Sequence, residues 1–427
     1  MRLFFTFLLA FILSACSAVS PSDVSSAEVS LEASTQDVSE KPIVIMIGID
    51  GLRWDAIDRH PAPALLALAK EGVRAKSMTP VMPSLTFVNF YSLATGLYAE
   101  HTGITGNMAY SVEEDTVMGR DMHGESRWWG GEPIWVSAEK QGVHTAAMFW
   151  LGSEAEIKGV RPTYWSPYEH NKPNGERVEK VLEWLVMPAE TRPRLITLYF
   201  SDVDSAGHRY GPETVEEGNA IKEVDGRVAD LRGGIEKLGM TDMVNIIVVS
   251  DHGMTRIDPE FMIYLDDYID VDDIFTPTLH SPDGPRSGPF VHIFAKDSNN
   301  IDALYNALKG AHKGMKVYKR EDIPKNWHLN NADRTGDIFA VADAGGMIFV
   351  RSLTSVYRYP AAGMHGYDRF HTDMGATFIA AGPNFKQGVD AESFENVEVY
   401  GILARILEIT PAETDGDIKR VEYFMKP

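Results

Sequence analysis

Ile43-Val44-Ile45-Met46-Ile47-Gly48-Ile49-Asp50-Gly51 is an unbroken apolar run that stops on a carboxylate and a glycine. A strand with one wet face alternates apolar and polar side chains. A run that is apolar throughout belongs to a strand covered on both faces, as in a parallel sheet between helices. The pattern recurs along the chain. Ile196 to Phe200 follows a helical stretch around Val178 to Leu185, and Val244 to Ser250 follows a long one from about Val215 to Leu238. Ala376 to Ala381 precedes another around Val397 to Leu407. Strands alternating with helices predict an α/β fold, a mostly parallel sheet sandwiched by helices. Ligands of such sheets collect outside the carboxyl ends of the strands. Asp50, Asp204, Asp251 and His252 all fall at or just past such an end.

Upstream of this run the chain changes character. Arg2 followed by the apolar run Leu3 to Leu13 is too short to span a bilayer as a mature helix and reads as an export signal over residues 1–15. It ends in Leu13-Ser14-Ala15-Cys16, which resembles the lipobox of bacterial lipoproteins. Cys16 is the single cysteine of the chain, and its place directly after the signal marks it as a lipid attachment site. Residues 16–40, rich in Ser, Ala, Val and acidic residues and without an aromatic, read as a flexible tether. The expectation is an exported protein, lipid-anchored to a bacterial membrane. Ser17 after Cys16 is compatible with the outer membrane, the globule being periplasmic or surface-exposed. With 427 residues, 44% of them hydrophobic, residues 41–427 can bury a large core as one catalytic domain. A stretch from about 260 to 360 breaks the strand–helix rhythm. It reads as an inserted subdomain with a small sheet around 290–295, 338–342 and 347–351. The formal net charge of −21 repels nucleic acid duplexes, so a phosphate ester must be attracted locally.

The strand-end residues supply that attraction. Asp50 before Gly51, taken alone, reads by default as a turn cap. Asp251-His252-Gly253 sets two metal-ligand types side by side. Asp204 and His208, four apart on what reads as a loop, can reach one ion. His365 sits in Gly363-Met364-His365-Gly366, where a lone histidine is more often structural. Collected, these residues give two sets of three ligands: Asp50, Asp251 and His252, and Asp204, His208 and His365. Mixed nitrogen and oxygen donors without a thiolate suit catalytic zinc, while manganese or iron stays open on ligand type. Thr86, in Met82-Pro83-Ser84-Leu85-Thr86-Phe87-Val88-Asn89, stands where a helix begins. A hydroxyl there faces free N–H groups and, beside a metal, is a candidate nucleophile. A helix N-cap is the competing reading of Thr86, and Ser84 competes for either role. Asn107, after Gly106, is either a turn residue or a neutral donor aimed at a phosphate oxygen.

These motifs, in this order, together with Gly211-Pro212 and Trp128-Trp129-Gly130-Gly131-Glu132-Pro133-Ile134-Trp135, resemble the nucleotide pyrophosphatase/phosphodiesterase family of the alkaline phosphatase superfamily. The likeness runs over about residues 42 to 427, and the bacterial members look closest. It implies two zinc ions in the ligand sets above, with Thr86 also a ligand, and a phosphoryl-threonine intermediate on Thr86. Asn107 then binds the remaining phosphate oxygen. It further implies a nucleoside base held between aromatic side chains, at positions matched by Phe87, Tyr168 and Tyr199. Two departures touch substrate choice more than metal binding. Val88 stands where many members have Pro, and Asp202-Val203 where many have Glu-Pro. The implied activity is hydrolysis of nucleotide phosphodiesters or pyrophosphates to nucleoside monophosphates. A sister hydrolase acting on phosphomonoesters, phosphonates or choline phosphodiesters, and a lipid-tethered binding protein without catalysis, are the competing readings.

Overall fold

A computed structural model describes residues 41–278, 280, 287–351 and 362–427. The export segment, Cys16 and the tether lie outside the described residues, as does part of the 260–360 stretch. At the centre is an eight-stranded sheet. From one edge to the other its strands run Val389–Ala391, Val73–Ala75, Phe378–Ala381, Val244–Val249, Ile43–Ile49, Leu195–Phe200, Thr145–Met148 and Tyr164–Trp165. Ile43–Ile49 lies between two parallel neighbours, Val244–Val249 and Leu195–Phe200, and every one of its residues is buried. Phe378–Ala381 runs against both of its neighbours, so the sheet is mostly parallel with one reversed strand.

Helices flank the sheet, as the alternating pattern predicts. Val399–Leu407 packs on Ile43–Ile49 and against the helices Thr86–Thr95 and Ile134–Lys140. Pro63–Glu71, Asn174–Leu185 and Val215–Lys237 form a second group. Asp225, buried on Val215–Lys237, accepts hydrogen bonds from the Ala64 and Leu65 N–H groups at 3.2 and 2.8 Å. That carboxylate satisfies two orphan donors at the start of the Pro63–Glu71 helix and meets the positive end of its dipole.

Beyond residue 260 a four-stranded antiparallel sheet forms, ordered Ile274–Phe275, Phe290–Ala295, Ile338–Ala342 and Met315–Lys319. Ile263, Ile293, Leu304, Leu308, Ile338 and Ala340 belong to an apolar cluster of its own. Two of the three expected strands lie in this sheet. The third, expected at 347–351, is Met347–Phe349 and pairs in parallel with Met262–Tyr264 instead. Its place in the small sheet is taken by Met315–Lys319, whose alternating buried and wet residues carry too few apolar side chains to stand out in the sequence.

Candidate active site

Three adjacent strands of the large sheet deliver the acidic residues to one place. Asp50 directly follows Ile43–Ile49, and Gly51 turns the chain away at φ +71°. A β-carbon on Gly51 would stand 2.9 Å from Asp204 Cα, so glycine is needed for this approach as well as for the turn. Asp251 and His252 follow Val244–Val249 on one side. On the other side, Leu195–Phe200 runs into the helix Asp202–Tyr210. Asp204 and His208 are therefore on a helix and not on the expected loop. The i, i+4 spacing of a helix puts them on one face, with Asp204 Oδ1 and His208 Nε2 3.3 Å apart. The glycines at 207 and 211 disguised this helix in the sequence. His365 arrives from farther along the chain. Strand Gly363–Met364 pairs antiparallel with Thr255–Arg256, just past His252, and so brings His365 to the same spot.

All six expected ligands converge. Asp50 Oδ1, Asp204 Oδ1 and Asp251 Oδ2 are buried and have no hydrogen-bond partner among the described residues. The opposite oxygens of two of them are held: Asp251 Oδ1 by the Gly51 N–H at 3.0 Å, and Asp50 Oδ2 by the Tyr199 hydroxyl at 2.5 Å. The imidazoles follow one rule. Nδ1 of His208, His252 and His365 lies 2.9, 2.8 and 2.9 Å from the carbonyls of Gly363, Gly253 and Ser84. A carbonyl only accepts, so Nδ1 carries the proton and Nε2 turns a lone pair inward. There Nε2 of His252 is 2.8 Å from Asp251 Oδ2, and Nε2 of His365 is 3.1 Å from that of His208. Asp50-Asp251-His252 and Asp204-His252-His365 each gather ligand atoms within 4.8 Å of one another. His252 thus reaches both sets. His208, assigned to the second, touches its members Asp204 and His365.

The electrostatics agree with the geometry. Burial, then the charges of Asp251 and Asp204, drives the Asp50 carboxyl well above its usual range. Burial, then His252 and His208, drives the His365 imidazole well below its own. Burial also depresses His252, but Asp251 and Asp204 outweigh it and hold that imidazole above its ordinary value. Orphaned carboxylate oxygens and inward lone pairs at these distances repel one another in a dry site, and divalent cations relieve exactly that kind of crowding. The donor set fits zinc.

Thr86 Oγ1 lies 3.3 Å from His252 Nε2. Thr86 is the first residue of its helix, the N-cap position falls to Leu85, and no side chain caps the end. Ser84 is removed as a competitor. Its buried hydroxyl donates to the Tyr367 carbonyl at 2.9 Å and accepts from the Gly366 N–H, which ties down the His365 loop. Asn89, which the sequence reading passed over, clamps the approach to Thr86. Its amide donates to the carbonyls of Val81, Pro83 and Leu85, and its oxygen accepts from the Val81 N–H at 2.6 Å. Asn107 Oδ1 accepts from the Phe87 N–H at 3.0 Å, which leaves its NH2 as the end available to a ligand. Phe87 and Asn107 line a cavity of about 380 Å³ with His123, His208, Phe290 and His365. Phe87 is braced by His123 edge-on at 4.8 Å and by Trp129 at 6.3 Å, contacts that no motif announced.

The aromatic expectations divide. Tyr168 is 43% exposed, with its ring edge-on to Phe149 and Tyr199, and it lies outside the residues lining that cavity. Tyr199 corrects its expected role as a stacking platform. It is buried at 7% exposure, wedged edge-on by Phe90 and Tyr168, and its hydroxyl is bonded to Asp50. Its sequence position inside an apolar strand end concealed this, because a stacking face and a carboxylate anchor look alike there. Arg177, also buried, ties the two tyrosines together. Its guanidinium donates to the Tyr199 carbonyl at 2.8 Å and to the His170 and Lys172 carbonyls of the loop after Tyr168.

The model of the type I phosphodiesterase/nucleotide pyrophosphatase family matches residues 44–368. The chain belongs to that family. Membership places it among hydrolases of phosphodiester or pyrophosphate bonds. It is 34% identical over 387 residues to an uncharacterized pyrophosphatase/phosphodiesterase of Schizosaccharomyces pombe, covering 87% of this chain and 78% of that one. It is 34% identical over 398 residues to human ectonucleotide pyrophosphatase/phosphodiesterase family member 1, covering 91% of this chain but 42% of the human protein. The chain thus spans less than half of that larger relative. Among solved structures, murine ectonucleotide pyrophosphatase/phosphodiesterase 5, as an inactive threonine-to-alanine variant in complex with AMP, superposes with a TM-score of 0.83. It shares 30% identity over 90% of this chain and all of that one.

Proposed function

We propose that this family member is a two-zinc phosphodiesterase that hydrolyses nucleotide phosphodiesters or pyrophosphates to nucleoside monophosphates through a phospho-threonine intermediate on Thr86 whose phosphorus keeps its nucleoside. The observation that carries the reading is the meeting of three orphaned carboxylate oxygens, three inward Nε2 atoms and the Thr86 hydroxyl in one buried cluster. Asp50, Asp251 and His252, with Thr86, would hold one ion, and Asp204, His208 and His365 the other. Such ions, when bound, lower the pKa of a coordinated hydroxyl and neutralise charge on the transferring phosphoryl group.

The chain's own residues do the rest. Thr86 Oγ1 gives up its proton to solvent and forms a bond to phosphorus, and the leaving oxygen departs with the electron pair of the bond it breaks. Water then cleaves the Oγ1–P bond, restores the hydroxyl and releases the nucleoside monophosphate. The Asn107 NH2 donates to a non-bridging oxygen as charge develops on it. Phe87 and the exposed ring of Tyr168 supply π faces to a nucleoside base, a contact tolerant of base identity. AMP bound to the murine relative is consistent with a nucleotide ligand. On the sequence evidence of residues 1–16, the mature protein is exported and lipid-anchored through Cys16. Among the described residues no helix is long and apolar enough to cross a membrane.

The test is turnover of a p-nitrophenyl nucleoside diester by zinc-loaded protein, abolished by EDTA. Cleavage of p-nitrophenyl phosphate alone, with the diester untouched, would reject the diesterase assignment in favour of a monoesterase. A Cys16→Ala form that still partitions with membranes would reject the anchor.

A further inference from the structure

The strand Phe290–Ala295 of the smaller sheet carries a buried histidine that the reaction does not use. His292 is 5% exposed and packs against Phe290 and Phe339. Its Nδ1 accepts the Gly336 N–H at 3.3 Å. Gly336 is needed for this approach, since a β-carbon there would stand 2.6 Å from the Ile293 nitrogen. An accepting Nδ1 fixes the tautomer, so Nε2 carries the proton and donates to the Thr105 carbonyl at 3.1 Å. Burial pushes the imidazole down to about 4, which keeps it neutral through the neutral pH range. The same Thr105 donates its hydroxyl to the Arg334 carbonyl at 3.0 Å, a second tether to the 260–360 stretch. Two residues on is Asn107, held from the other side by the Phe87 N–H next to Thr86. The short segment from 105 to 107 is thus strung between the smaller sheet and the helix of the nucleophile.

We propose that His292 is a positioning residue for Asn107: by holding the Thr105 carbonyl, it lets the smaller sheet set where the Asn107 amide meets the phosphoryl group. The inference rests on the role given to Asn107 above. A donor aimed at developing charge acts only at the right place, and a displacement on the order of 1 Å costs up to about 100-fold in rate.

The experiment is a double-mutant cycle on the full zinc-loaded protein with a p-nitrophenyl nucleoside diester as substrate. His292→Phe fills the same space and loses both hydrogen bonds. His292→Asn keeps an acceptor near Gly336 but cannot reach Thr105, and stands in if the Phe variant does not fold. The expected result is a fall in kcat of about tenfold with zinc content unchanged, shrinking to less than about twofold when His292 is changed in the Asn107→Ala protein. AMP binding to the Thr86→Ala protein, measured calorimetrically, should weaken several-fold on adding His292→Asn. A full loss of kcat in both Asn107 backgrounds, or no loss in either, overturns the role of His292. An Asn107→Ala protein with undiminished kcat instead overturns the role of Asn107, and the two failures are separable in one data set.

Discussion

Tyr199→Phe separates two roles for one residue, because it keeps the aromatic face and deletes only the hydroxyl. That hydroxyl is bonded to Asp50 Oδ2 at 2.5 Å inside a site where Tyr199 is 7% exposed. Asp50 Oδ1 has no partner among the described residues, so the substitution leaves the whole carboxylate without a donor. A hydrogen bond to a charged group contributes about 1.5–3 kcal/mol, and an outer partner of a metal ligand is worth about 10- to 100-fold in metal affinity. The two figures agree, since about 1.4 kcal/mol is tenfold. The ring volume is conserved, so the fold should stay intact. The expected outcome is zinc affinity down by about 10- to 100-fold at the site of Asp50, Asp251 and His252, read by chelator competition with zinc quantified by mass spectrometry. Diesterase activity should fall at limiting zinc and largely return in excess zinc. A stacking role predicts the reverse, with metal affinity and KM untouched because Phe stacks as well as Tyr. Unchanged zinc retention in Tyr199→Phe would refute the anchor.

Other substitutions reach other parts of the argument. Thr86→Ala should lower kcat by at least about 1,000-fold while zinc content and AMP binding persist; retained turnover would remove Thr86 from the reaction. Asn89→Ala leaves the Val81 N–H and carbonyl unpaired, and takes an acceptor from the Asn396 amide, while the Pro83 and Leu85 carbonyls keep backbone donors; it should cost about 3 kcal/mol in denaturant unfolding, with a disproportionate loss of kcat. Stripping zinc with EDTA should lower the melting temperature by several degrees and restore it on re-addition, because ligands that bind only the folded state stabilise it by mass action. Glu398 is buried away from the site, and burial pushes its carboxyl up to about 7 despite the Asp417 N–H and Arg420. A raised folded value means stability that is fully present below about pH 4.5 and is lost as pH rises towards 7. With Arg420 exposed beside it, we take the loss as about 1–2 kcal/mol. Glu398→Gln should therefore gain that much on the parent between pH 5 and pH 8, and an equal gap at both pH values would refute the assignment.

What the sequence made legible was whatever one rigid element decides locally. The run Ile43 to Ile49 announces a doubly covered strand, and Asp50, Asp251 and His252 fall at strand ends whatever the loops do. Candidate ligands need only be delivered to a point, so residue type and strand-end position suffice to predict which side chains meet there. Asp204 and His208 do lie together as their spacing predicts, but on a helix and not a loop, since a loop and a helical turn both bring residues four apart together. Roles that depend on what lies behind a side chain could not be read. Tyr199 and Ser84 look like a platform and a nucleophile in the chain, but each is defined by a partner far away in sequence, Asp50 for one and Tyr367 for the other. Asn89 and His292 carry no motif at all, because their partners are backbone groups, which every sequence offers everywhere.

That division has a consequence for how specificity is distributed in this molecule. The candidate ligands other than His365, together with Thr86, stand on the large sheet and its helices, where parallel strands fix Asp50 between its neighbours, and His365 follows the strand Gly363–Met364. The cavity beside Phe87 and Asn107 is walled differently. Phe290 and His292 come from the smaller sheet, His123 and Met118 from the segment after the Thr86 helix, and His208 and His365 of the ligand cluster close the wall. The cavity wall and the ligand cluster meet at Asn107, which the Phe87 N–H holds from one side and the tethered Thr105 from the other. Changes on the smaller sheet can then reshape what the cavity accepts without disturbing the ligand cluster. Substitutions such as Phe290→Ala should shift relative kcat/KM among diesters with different leaving groups at constant zinc content, and a uniform loss across all of them would show that the two parts are not separable.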